Sequence, residues 1–214
     1  MTLEDSYFLS FYLQLLSYAL PLWAGIKYFG YFDRSLKLFF LSVIIAFVID
    51  VISWVLYKLG IQNHYLDYFF SFNSFFTKII IYHLIIKNPK HRKLIIGIGV
   101  LIIPLFVFDV IWIAGTKHHN AFSGGVSQIW IFGATIYCLR QLINDTPVNI
   151  RLEAFFWIYI GILFKKGLTF FDMLFYDNVL NSSVTLTYIL SDFTYLTSVV
   201  ENILYTIGFR RAYK

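Results

Sequence analysis

The sequence predicts an all-α fold, a polytopic membrane bundle of seven transmembrane helices built as one domain over residues 1–214. Three observations predict it. Hydrophobic residues make up 59% of the chain and charged residues 14%, with a mean hydropathy of +0.70, which is far from the balance of a soluble domain. Seven apolar stretches, each close to the about 20 residues that cross a hydrocarbon layer as a helix, fill most of the chain. The basic residues between them fall on alternate connections.

The first span, 7–29, follows Glu4 and Asp5 rather than a basic region and has no small-residue cleavage site, so it is expected to remain in the mature chain. Pro21 predicts a kink in it. The second, 38–59, places Ser42, Asp50, Ser53 and Tyr57 on one face, and the third, 65–86, does the same with Asp67, Ser71, Ser74, Lys78 and Tyr82. The fourth, 94–115, contains Pro104 and Asp109. Before the fifth, 124–143, Phe122-Ser123-Gly124-Gly125 reads as a flexible lead-in, with Gln128 one turn deeper and able to hydrogen-bond into the outer half of a cavity. In the sixth, 152–175, Lys165, Thr169, Asp172 and Tyr176 share a face, with Lys166 turned about 100° away. The seventh, 184–209, is the most polar: Thr187, Ser191, Thr194, Tyr195, Ser198, Glu201, Asn202 and Tyr205 fall within an arc of about 120°. Such faces must turn away from acyl chains, so spans two, three, six and seven are expected to line one interior. Tyr and Trp at span ends, such as Tyr7, Trp23, Tyr28, Trp112, Trp157 and Tyr213, suit interfacial anchoring.

Orientation follows from the retention of Lys and Arg in short cytoplasmic loops. Lys27, Arg34, Lys37, Lys87, Lys90, Arg92, Lys93, Arg140, Arg151, Arg210, Arg211 and Lys214 lie on one side, against Lys58 and Lys117 on the other. Twelve against two places the N-terminus outside and the C-terminus in the cytoplasm. The net charge of +5 is then accounted for by this bias and by anionic lipid headgroups, and nucleic acid is not an expected partner.

Charges within the spans default to functional roles because burying them in lipid costs at least about 2.5 to 3.5 kcal/mol each. At 1.5 Å per residue, Lys78 and Glu201 lie about 12 Å from the cytoplasmic end of their spans, Asp50 about 18 Å, Lys165 and Lys166 about 20 Å, Asp109 about 22 Å and Asp192 about 25 Å. Matching depths predict two ion pairs, Lys78 with Glu201 and Asp50 with Lys165. Their structural role would be to fix which helix sits beside which.

Several chemistries lack their residues. Schiff-base attachment of retinal needs a lysine in the last span, which has none before Lys214. The five histidines are spread over loops: His118 and His119 beside Asn120 offer at most a weak surface metal site, and no metal or other cofactor is expected. Cys138 is the single cysteine, so no intrachain disulfide forms. No GxSxG or phosphate-binding glycine loop occurs, and no nucleophile and base share a depth, so enzymatic activity is not the expected function. Corresponding landmarks do not recur between the first and last three spans, as an inverted-repeat transporter would show.

Phe156-Trp157-Ile158 with Gly161-Ile162-Leu163, and Asn202-Ile203-Leu204-Tyr205 with Ile207-Gly208-Phe209, resemble the corresponding segments of an uncharacterised group of small seven-helix bacterial inner-membrane proteins. The resemblance implies a multi-pass inner-membrane location and carries no activity. Lys165 and Lys166 stand where such proteins carry small or apolar residues.

The expected function is a sensory, signalling or ligand-binding module in the lipid bilayer. A small or lipid-like ligand would act on a buried network drawn from Asp50, Lys78, Lys165, Asp192, Ser198, Glu201 and Asn202, and a cytoplasmic protein partner on the basic inner loops would carry the output. The alternative is a proton- or cation-coupled transporter or channel using Asp50, Glu201 and Asp192.

Overall fold

The computed structural model describes residues 3–113, 121–145 and 149–213, and all regular structure among them is helical. Lys117, His118, His119 and Lys214, and the side chains of Asp172 and Tyr176, lie outside the described residues. The α-helices are α1 (Leu3–Ser17), α2 (Ala19–Tyr28), α3 (Arg34–Lys58), α4 (His64–Ile85), α5 (Pro89–Phe108), α6 (Ala121–Asp145), α7 (Ala154–Ser182) and α8 (Val184–Arg211). Four helical segments, 5–31, 34–58, 89–113 and 122–145, are long and apolar enough to cross a membrane. Of the others, α4, α7 and α8 have the length, at 22, 29 and 28 residues, and carry polar faces.

Helix ends follow local chemistry. Asp33 caps α3 through the Leu36 amide at 2.7 Å, and Asn88 caps α5 through the amides of Lys90 and His91, with Pro89 in the first turn. At the far end of α3, Gly60 takes a left-handed φ of 69°. Its amide and that of Ile61 return to the carbonyls of Tyr57 and Leu56, a Schellman closure.

The two prolines act differently. Pro21 has no N–H for the carbonyl four residues back, that of Ser17, and the helix breaks at Tyr18, between α1 and α2. Pro104 sits inside an unbroken α5, and the irregularity comes after it as a wide π-helical turn over Asp109–Ile113. The expected flexible lead-in to the fifth span is corrected: Ser123, Gly124 and Gly125 are helical, within the first turns of α6. The Ser123 amide there donates to the fully buried Asp109 carboxylate at 2.9 Å, which anchors this start of helix to the wide turn.

The helices close a ring in the order α1/α2, α3, α4, α6, α7, α8 and back to α1/α2, with α5 packed against α4 and α6. The upper end of the bundle carries the start of α1 and the α3–α4 turn; the lower end carries the α2–α3 and α4–α5 turns and the end of α8. At the lower end Phe32, Phe39, Phe40, Tyr205 and Phe209 form a dry aromatic cluster, with Phe39 edge-on to Tyr205 at 4.8 Å and Phe209 fully buried. Gly25 admits the Phe40 ring to this cluster, since a Cβ there would lie 2.0 Å from it. A second aromatic cluster joins α4, α5 and α6 through Phe75, Phe106 and Trp130. Large apolar side chains point outward all round, with Leu16, Ile26, Leu101 and Trp112 each at least two-thirds exposed, a surface suited to lipid.

Candidate site: a central cavity and its charged floor

Enclosed by α1, α3, α4, α6, α7 and α8 is a cavity of about 560 Å³. Its mouth lies at the upper end, beside Tyr57, Asn63 and His64, where His64 stands 3.7 Å from Asp67. Tyr7, Phe11, Trp54, Phe70 and Tyr195 give it an aromatic wall, while Gln14, Asp50, Gln128 and Ser198 add polar groups. Lys165 and Lys166 form its floor and, with Phe70, also line a second, smaller recess of about 50 Å³ below. Lys78, Glu201, Asn202 and Tyr205 belong to this recess, which ends on the Phe39–Tyr205 contact of the lower aromatic cluster.

The structure brings most of the expected residues together and re-pairs them. Glu201 does not bond Lys78. It meets Lys165, Nζ to Oε2 at 3.1 Å, and its other oxygen accepts from the Tyr205 hydroxyl. Lys78, 93% buried, donates instead to Ser74 Oγ at 2.8 Å, one turn back on its own helix. The depth count fails because it tracks Cα atoms. Every Cα–Cβ bond leans toward the N-terminus of its helix, so on the antiparallel α7 and α8 the Lys165 and Glu201 side chains lean toward each other and close a gap of about 8 Å in nominal depth. Lys78 leans up α4, toward Ser74, for the same reason.

The expected Asp50–Lys165 pair is also corrected. Asp50 Oδ2 accepts from Gln14 Nε2 and from the Tyr18 hydroxyl, both at 2.9 Å. Tyr18 is the residue at which the first rod breaks, and next to it Ser17 Oγ donates to the Gln14 carbonyl at 2.6 Å while accepting from Asn202 Nδ2 at 2.7 Å. The break is thus stitched on one side to α3 and on the other to α8. Ser198 Oγ turns back to the Thr194 carbonyl at 2.9 Å, a local bond that lets a small polar residue face the cavity. Asp192 stands apart from the lysines, near the top of α8, where its carboxylate accepts from Ser6 Oγ at 2.7 Å and from Ser10 Oγ.

Sequence reasoning missed the first helix. Ser6, Ser10, Gln14 and Ser17 recur at spacings of four, four and three residues, the same helical signal that exposed the face of α8. Each of them bonds a polar residue of α8 or α3, or their shared network. Gln128, which the sequence allows to reach a cavity but favours as a helix-packing residue, is in the cavity wall.

No protein-family model matches the chain, and comparison with curated proteins and with solved structures finds no similar protein.

Proposed function

We propose that the chain is a seven-span, multi-pass protein of the inner membrane, N-terminus outside and C-terminus cytoplasmic, that binds a ligand in its central cavity and signals through a separate cytoplasmic partner. The observation that carries this reading is the cavity of about 560 Å³, open at one end of the bundle and floored by Lys165 and Lys166, the first of them paired with Glu201 below. Its volume lies in the range of small-molecule sites, which run from about 300 to 1,000 Å³. Aromatic walls with a few convergent polar groups have the usual composition of such sites. The proposed orientation turns the mouth to the outside and the basic connections to the cytoplasm, where a partner would dock. A ligand reaching the floor would bear on the polar stitch that joins the α1–α2 break to α3 and α8, and that stitch is the element through which binding would shift the helices.

Native mass spectrometry of the protein extracted with its lipids tests the binding claim. A retained small molecule is expected, and it should be lost in Ser198→Phe, which fills the cavity; a wild-type protein that carries nothing, or a molecule indifferent to the substitution, counts against it. For orientation, a Cys138→Ser background with a single cysteine at Gln62 should label from outside intact cells, and one at Asn88 should not.

A second reading is a proton- or cation-coupled transporter or channel, favoured by the stacking of the upper cavity on the charged recess, which share Lys165 and Lys166 in their linings. Gradient-driven flux in proteoliposomes that disappears in Glu201→Gln would decide for it.

A further inference from the structure

The recess below the cavity is lined by more lysines than carboxylates. Lys78, Lys165 and Lys166 line it together, and Glu201 is the carboxylate among its lining residues. Both Glu201 oxygens are engaged, by Lys165 and by the Tyr205 hydroxyl. The next carboxylate up, Asp50, is held by Gln14 and Tyr18. Asp67 belongs to the mouth beside His64, three turns or about 16 Å above Lys78 on α4. Three lysine side chains thus face two carboxylates, both of which are already engaged. Lys78 satisfies one of its three N–H donors on the neutral Ser74 hydroxyl. Among the described residues Lys166 makes no hydrogen bond or ion pair, although it lines both the recess and the cavity.

Resting on the ligand-binding reading above, we propose that this recess seats the carboxylate group of an amphipathic organic acid whose apolar or aromatic body fills the upper cavity. At about 50 Å³ the recess takes a carboxylate and little more, while the 560 Å³ above it, walled by Phe11, Trp54 and Phe70, takes the body. A bound carboxylate would supply a further negative charge and accept from Lys166 and from the donors that Lys78 does not spend on Ser74. Two sources carry this chemistry, a fatty acid from the bilayer and an aromatic acid from the aqueous phase outside.

The test titrates the purified full chain, in nanodiscs of zwitterionic lipid, with decanoate and with phenylacetate, using decanol and phenylacetamide as uncharged counterparts and the thermal unfolding midpoint as readout. At least one acid is expected to raise the midpoint saturably, with its uncharged counterpart at least tenfold weaker. Decanoate alone points to the lipid source, phenylacetate alone to the aqueous one. Lys166→Met and Lys78→Met should each weaken the acid at least tenfold, and Lys166→Arg should stay within about threefold of wild type. Glu201→Gln, which removes the competing anion and frees Lys165, should bind the acid more tightly. Equal binding of acid and uncharged counterpart, or acid binding unchanged by both lysine substitutions, overturns the carboxylate assignment and leaves the cavity as a site for a neutral ligand. Binding of neither acid also overturns it, while the ligand-binding reading is decided separately by the mass of what the native protein retains.

Discussion

The two ends of the bundle handle polarity in opposite ways. Below the recess, Phe32, Phe39, Phe40 and Phe209 interlock ring on ring, and the closest approaches are set by glycines. Above it, the helices stand apart around a cavity, and α1 is joined to α3 and α8 both by ring contacts such as Tyr7–Tyr195 and Phe11–Tyr195 and by hydrogen bonds to the buried carboxylates of Asp50 and Asp192. Within a bilayer both ends are surrounded by apolar acyl chains, so helix association rests on packing and on polar contacts rather than on the exclusion of water. Packing dominates around Phe209, and both are used around the cavity. The hydrogen bonds that tie α1 to α3 and α8 are thus gathered around the cavity and its recess.

The largest expected effect tests the polar half at its deepest contact. Lys165→Met strips Glu201 of its cation in a site where its side chain is 11% exposed, and breaking such a buried pair costs about 3 to 5 kcal/mol. Adding Glu201→Gln should recover most of that loss, because the penalty is that of a stranded charge. Denaturation midpoints of both single variants and the double variant in one lipid or detergent provide the measurement. Additive losses would mean that the two residues act independently and that the upper half is not held through this pair.

Why the helices and their polar faces were readable, and the pairs were not, follows from what periodicity encodes. The positions of Ser198, Glu201, Asn202 and Tyr205 on one face of α8 depend on backbone geometry alone, and so does the placement of Lys78 and Ser74 on one face of α4. Pairing depends on the lean of side chains up to about 6 Å long and on neighbours along the ring, and neither is local. The break at Tyr18 was legible as a kink from Pro21, yet its use as a junction between Asp50 and Asn202 depends on where α3 and α8 lie around it. The two glycines of the α6 start were misread for a related reason. Their permissive backbone suggests a loop, but the Asp109 carboxylate, fourteen residues earlier in sequence, holds the Ser123 amide and fixes the first turn.

An intermediate effect is expected in the dry half. A Cβ at Gly208 would lie 2.8 Å from the backbone carbonyl oxygen of Ala154 and 3.0 Å from Ile158, so α7 and α8 must separate to admit it. Gly208→Ala should cost about 1 to 3 kcal/mol, the range for overpacking a tight contact. Gly97→Ala is the matched control: nothing lies within 4 Å of its Cβ position on α5, and alanine is the better helix former. Thermal midpoints should fall for the first and hold or rise for the second. Equal behaviour would show that the lower end is not set by close helix approach.

The smallest expected effect separates charge from hydrogen bonding in the upper half. Gln14 Nε2 and the Tyr18 hydroxyl converge on a single oxygen of Asp50. One carbonyl oxygen has lone pairs for both, so the amide of Asp50→Asn can keep both contacts and should change stability by less than about 0.5 kcal/mol, the scale of a neutral substitution. Asp50→Leu removes the acceptor and strands both donors, at about 1 to 3 kcal/mol. The contrast between the two variants carries the information, since each alone also changes the size or charge of the cavity wall. If Asn is as damaging as Leu, the negative charge itself is needed at that position, and Lys165 must then be shared between Asp50 and Glu201 rather than committed to Glu201, which would make the floor of the cavity a single three-membered charge network.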